Sequence, residues 1–224
     1  MTSIILQARI DSSRLPGKAL LDLEGKPVIF RVMQALSGIP CDLKILACTE
    51  DSYQAFLPLA KEAGFLIHSG PKEDVLERYC QVIRKFSINR VIRATGDNPF
   101  VFADAACAIN SEAVSLNADY AGYMNLPYGS GVESVAASAL LRASLEAKLP
   151  QEREHVCPYL YNHPELFKIH RPAAPDRWNY PDIRLTIDTK EDFDKALKLY
   201  TALKDKPEKN NGETIINIFN GKGH

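Results

Sequence analysis

Residues 43–95 read LKILACTEDSYQAFLPLAKEAGFLIHSGPKEDVLERYCQVIRKFSINRVIRAT, and this stretch decides the fold. Leu43–Cys48, Phe65–His68 and Arg90–Thr95 are short apolar runs of strand length. Between them lie two helical stripes. Tyr53–Ala63 is closed by Gly64 as a stop, and Asp74–Phe86 starts at Asp74 as a plausible N-cap. Strand–helix–strand–helix–strand implies parallel strands joined by crossover helices. Upstream, Ile4–Ala8 predicts a strand, and Pro27–Leu36 a helix with Val28, Val32 and Leu36 on one stripe and Pro at its start. Downstream, helices are expected over 103–116, 140–147 and 190–204, extended chain over 119–123 and a strand over 183–187. The prediction is an α/β fold: a mixed, mostly parallel sheet with helices on both faces.

At 224 residues, 46% apolar and 25% charged, the chain suits one sizeable domain. No linker divides it, so residues 1–224 are expected to form a single domain. The Pro- and aromatic-rich segment around 150–182 contains the only tryptophan, Trp178. It is expected to project, contacting an acceptor or a second copy in a homodimer; a lid or an ordinary surface loop suits the same composition. The polar tail from Lys206 gives way to apolar residues only at Ile215–Phe219. A net charge of −1 gives no sign of a nucleic-acid or anionic-membrane surface. The opening residues do not form a signal peptide, no run is long enough to span a membrane, and the five cysteines are scattered. These features predict a cytoplasmic protein with reduced thiols and no zinc site.

After the first strand, QARIDSSRLPGK places Arg9, Arg14 and Lys18 within ten residues. Guanidinium forks and a lysine point charge, helped by loop N–H groups, suit a polyphosphate. A solvated basic turn gives the same pattern. Neither a Walker loop nor Gly-x-Gly-x-x-Gly is present. A second polar cluster, Thr95-Gly-Asp97-Asn-Pro99, also follows a strand, and in open parallel sheets ligands bind beyond the carboxyl ends of strands. Asp97 suits a Mg²⁺ ligand, because Mg²⁺ takes one or two protein carboxylates and leaves its other positions to water and phosphate. Asp188 would be the second ligand, although an aspartate ahead of a helix with Glu191 and Asp192 in its first turn is also an ordinary cap.

The run QARIDSSRLPGKAL resembles the opening motif of the cytidylyltransferase family that includes the CMP-Kdo and CMP-sialate synthetases. It is closest to the branch named for spore coat polysaccharide biosynthesis, matching at Gln7, Ala8, Arg9, Ser12 and Arg14 through Lys18. The resemblance covers nearly the whole chain to about residue 200. It implies a Rossmann-like sheet of the nucleotide-diphospho-sugar transferase type, transferring CMP from CTP to a sugar acid or modified sugar for surface polysaccharide or glycan synthesis. By it, Gln7, Ala8, Arg9, Ser12, Arg14, Lys18, Asp74, Arg78, Thr95 and Asp97 contact the nucleotide. Arg9, Lys18 and Asp97 carry catalysis, and Asp97 and Asp188 hold Mg²⁺. Asp74 and Arg78 could instead form a solvent-facing i, i+4 ion pair. Glu133, Arg153 and His155 are implied to face the acceptor, Arg153 on a carboxylate or phosphate; His155 could equally be structural. The branch usually carries an acidic residue where Gly131 lies. Another NTP donor, a glycosyltransferase or a silent sugar-nucleotide binder are the competing readings; the Asp-x-Asp motif of glycosyltransferases reads Gly-Asp-Asn here.

Overall fold

The computed structural model describes residues 1–204, 206 and 210–221. Strand β1 (Thr2–Ala8) lies at the centre of a parallel set with β2 (Leu43–Thr49), β3 (Leu66–Gly70) and β4 (Arg90–Thr95). Each crossover carries a helix: α1 (Val28–Leu36), α2 (Tyr53–Glu62) and α3 (Val75–Phe86). Local signals set these boundaries. Gly64 adopts φ +73° just past α2, and the Asp74 carboxylate accepts the Glu77 N–H at 2.9 Å to cap α3.

Beyond β4 come α4 (Ala103–Ser115), β5 (Tyr120–Ala121), β6 (Glu133–Ala136) and α5 (Ala137–Glu146). The short α6 (Pro150–His155) and α7 (Pro158–Asn162), β7 (Ile169–His170), α8 (Lys190–Leu203) and α9 (Gly212–Phe219) complete the described elements. Sheet order is β3-β2-β1-β4-β6-β5-β7, with β6 antiparallel to both β4 and β5. The sheet is therefore mixed and mostly parallel, as the alternation predicts.

Side chains alternate between two cores, as the pleat requires. Ile4, Leu6, Leu46 and Ile92 face α1, α2, α4, α8 and α9; Ile5, Ile45, Val91 and Val135 face α3, α5 and α7.

Two expectations change, and the tail gains an element that the sequence reading did not assign. Residues 183–187 form no regular strand: apart from one bridge between Arg184 and Tyr128, they run as a strap whose Ile187 N–H reaches the Asp97 carbonyl at 2.9 Å. The tail carries helix α9, capped by Asn211. Within the segment around 150–182, Ile169–His170 joins the sheet as β7, and Trp178 is fully buried with Phe102 and Ala174. Burial removes the indole from any contact with a second copy.

Candidate active site

Cleft one opens beyond the carboxyl ends of β1 and β4, where the strand order reverses: β2 and β3 build out on one side of β1, and β4 returns on the other. Its wall includes Gln7, Ala8, Arg9, Ser12, Arg14, Lys18, Arg78, Thr95, Asp97, His155 and Asp188, so most of the residues expected on the nucleotide converge here. Gly96 makes this possible. Its N–H bonds the Gln7 carbonyl at 2.8 Å, and a Cβ there would stand 2.8 Å from that of Ala8. The β4 turn thus lies flush on β1 and presents Asp97.

At the centre, the Lys18 ammonium donates to Asp97 Oδ2 at 3.1 Å, to Asp188 Oδ1 at 2.9 Å and to the Ile187 carbonyl at 2.8 Å. Gly17, at φ +67°, turns the loop so that the short 3-10 turn Lys18–Leu20 aims this side chain inward. Arg14 also reaches Asp188 Oδ1 at 2.9 Å, and Arg184 donates to its other oxygen at 2.7 Å. Burial alone would raise the Asp188 carboxyl; Lys18, Arg14 and Arg184 outweigh it and hold the group below the ordinary carboxylate value. Asp97 takes a second bond from the Thr95 hydroxyl at 2.7 Å.

The capping alternative for Asp188 fails. Thr189 caps α8, accepting the Asp192 N–H at 3.2 Å, and the Asp192 carboxylate returns to the N–H groups of Asp188 and Thr189. Asp188 lies outside that box with its carboxylate in the cleft.

The charges at the mouth divide differently. Lys72 bonds Asp11 and lies 3.5 Å from Asp51, tying the loop to the turn before α3. Arg78 does not pair with Asp74. Burial pulls its pKa down, and its guanidinium holds the carbonyls of Pro71 and Lys72. Asp74 instead receives two bonds from Arg153, at 2.8 and 2.6 Å, while the same arginine donates to the Ser144 and Ala147 carbonyls. Arg153 lines neither cleft, so the acceptor role expected of it is not supported by its position: its donors are spent joining α6 to α3 and α5.

Cleft two lies beside the first and shares Thr95 with it. Tyr120, Tyr123, Tyr128, Asn98, Gly129, Gly131, Arg93 and Glu133 line it. Glu133, on β6, faces Arg93 on β4 in register, pairs with it, and accepts the Tyr120 hydroxyl at 2.7 Å. Burial works against charge on Arg93, but the Glu133 carboxylate more than offsets it and holds the guanidinium above its ordinary value. His155 stands on the wall of cleft one, whereas Glu133 lines cleft two.

The first cleft thus holds a pair of carboxylates bridged by one ammonium under a basic loop, and the second adjoins it at Thr95. A family model described as cytidylyltransferase matches residues 3–216. The chain belongs to the cytidylyltransferase family. Such an enzyme takes CMP from CTP and releases pyrophosphate. This cytidylyltransferase is 34% identical to the spore coat polysaccharide biosynthesis protein SpsF of Bacillus subtilis, over 94% of its own chain and 91% of the relative. In fold it is similar to a cytidylyltransferase from Leptospira borgpetersenii, with TM-score 0.88 at 23% identity over 98% and 94% of the two chains. It is also similar to a CMP:2-keto-3-deoxy-manno-octonic acid synthetase complexed with CTP, with TM-score 0.68 at 18% identity over 89% and 98%.

Sequence reasoning missed Arg93, Lys72 and Arg184. Arg93 carried a signal, because a charge inside an otherwise apolar central strand is rare unless paired. Arg184 stands four residues before Asp188, a spacing that invites a pair only in a helix. Lys72 gave none, since its partners come from distant loops.

Proposed function

We propose that this cytidylyltransferase transfers CMP from CTP to a sugar acid or related modified sugar, with Mg²⁺ held between Asp97 and Asp188, for surface polysaccharide synthesis. The observation that carries the reading is the Lys18 ammonium lodged between the two carboxylates. A cation already stands where one oxygen from each converges, and that donor set, two carboxylates with a polyphosphate alongside, suits Mg²⁺. The printed names of the relatives, a spore coat polysaccharide protein and a synthetase acting on a keto-deoxy sugar acid, support the acceptor class.

In this mechanism Arg9 and Arg14 receive the phosphates at the mouth, and Gln7, Ser12 and Thr95 line the path inward. Lys18 leaves the carboxylates for the phosphate oxygens, and Arg184 keeps its hold on Asp188. Asp97 and Asp188 would hold Mg²⁺, which would supply neutralisation of the charge developing on the transferring phosphoryl group. Thr95 fixes the orientation of Asp97, and the acceptor, entering through cleft two, presents a hydroxyl across Thr95 in line with the α-phosphorus. Acceleration comes from positioning and charge neutralisation.

In the described residues, no helix is long and apolar enough to cross a membrane; we place the enzyme in the cytoplasm, as a homodimer, where sedimentation at the monomer mass would overturn the assembly. The test of function is pyrophosphate release with CTP, Mg²⁺ and a panel of sugar acids, beside the other NTPs. CTP-dependent release on one acceptor, removed by chelation, is expected; release that survives chelation ends the metal reading.

A further inference from the structure

Cleft two carries only one pair of charges on its wall, and they cancel: Arg93 and Glu133. The Arg93 side chain keeps 14% of its exposure. Its Nη1 is bonded to Glu133, while its Nε is buried with no hydrogen-bond partner. Asn98 also lines this cleft, and its Nδ2 is tied to Thr95 at 2.7 Å while its Oδ1 is buried and unpartnered. Both orphaned atoms have almost no exposed surface, so a ligand in this cleft meets the outer atoms of the same side chains, and the shortfall beneath marks a wall that is polar but incompletely bonded.

The chemistry of that ligand follows from the balance of charge. A carboxylate or phosphate brings acceptors only, and it would stand beside Glu133 with no net positive charge to hold it. Hydroxyl groups donate and accept at once. Two neighbouring hydroxyls can donate a hydrogen bond to the Glu133 carboxylate while accepting one from the Arg93 guanidinium. The remaining wall, Tyr120, Tyr123 and Tyr128 with Gly129 and Gly131, offers aromatic rings and room suited to a pyranose or polyol chain.

We infer that the Arg93–Glu133 pair reads vicinal hydroxyls on the neutral part of the acceptor, and that any acid group on the acceptor points away from it, toward the cationic first cleft. This rests on the cytidylyltransfer reading and deepens it. Arg93 and Glu133 are then specificity residues, and the anion contact once expected of Arg153 falls to the Arg9–Lys18 loop. Glu133 acts as a charge balance: it keeps the buried guanidinium from capturing anions.

The test uses saturation-transfer NMR on the full-length protein with α,β-methylene-CTP and Mg²⁺ filling the first cleft. The probes are neutral polyols (mannose, galactose, ribitol) and small acids without a diol (pyruvate, acetate). Saturation of at least one polyol and of neither acid is expected. Glu133→Gln, which keeps shape but frees the Arg93 charge, should reverse the preference, weakening the polyol about tenfold or more and admitting pyruvate. A purely structural pair would not reverse it. Saturation of the acids in the wild type, of no probe at all, or an unchanged pattern in Glu133→Gln overturns the inference. Calorimetry with the CTP analogue reports on both proteins separately. Its failure in the wild type counts against the cytidylyltransfer reading, and the probe pattern is then read on the unliganded protein; retained binding in the variant shows that it is folded.

Discussion

Lys18 is the residue on which the free enzyme balances its charges. Its ammonium meets three oxygens between 2.8 and 3.1 Å, two of them from different carboxylates. Removing it should have opposite effects on two measurements. Lys18→Met leaves Asp97 and Asp188 without their shared cation, so Mn²⁺ should bind the nucleotide-free enzyme about tenfold more tightly, read by water-proton relaxation. Turnover should fall by roughly 10²-fold or more, because a fixed charge on the phosphates is lost. Unchanged Mn²⁺ affinity would show that the lysine does not occupy the metal position. Asp97→Asn should abolish pyrophosphate release while leaving the thermal transition nearly intact, since the Thr95 hydroxyl still has an oxygen to bond. Asp97 and the loop to Lys18 were legible in sequence because they follow the ends of β4 and β1, and Asp188 because the strap before it reads as a strand. The partners of Asp74 and Arg153 were not: each found the other 79 residues away, where an i, i+4 rule sees only Arg78. Arg93 and Glu133 needed the register of β4 against β6, which no local pattern announces.

At the scale of elements, the site depends on two turns. In the first, Gly96 presses the β4 turn against β1, so Gly96→Ala should cost about 1–3 kcal/mol by overpacking against Ala8 and the Gln7 carbonyl, and lower turnover as Asp97 shifts. In the second, the Thr189–Asp192 capping box starts α8 directly behind Asp188. Asp192→Ala removes that cap and one partner of Arg184; a loss of about 1–2 kcal/mol in urea unfolding is expected. A stability equal to wild type would show that the strap over 183–187, not the box, anchors the helix. The long elements were readable because period and punctuation agree: a stripe in α3 with Asp74 at its head, or Gly64 behind α2. The two-residue strands β5 and β7 have no period to read, and the strap mimics a strand because its apolar residues alternate inward while its pairing stops at the single bridge to Tyr128.

Over the whole molecule, the last described helix closes the face of the sheet that supports the reaction centre. Helix α9 packs on α4 and α8, and Ile215 and Ile216 are buried there. Gly212 sits so close to Phe102 and Trp178 that a Cβ would approach them to 2.5 and 2.9 Å. Phe102 lies five residues beyond Asp97, so Gly212 of α9 backs the segment leading out of the Gly96–Asp97 turn. Stability and chemistry should therefore separate. Ile216→Ala empties a core position on the far side of that layer and should cost about 2–4 kcal/mol. In a domain of this size that lowers the melting temperature by roughly 5–15 °C. Below its transition the variant should keep the wild-type KM for CTP, because the groups we propose for the phosphates come from β1, β4 and the loops beyond them. A raised KM at a temperature where circular dichroism shows the variant folded would mean that α9 positions Asp97 through Phe102, and that the tail belongs to the working part of the enzyme.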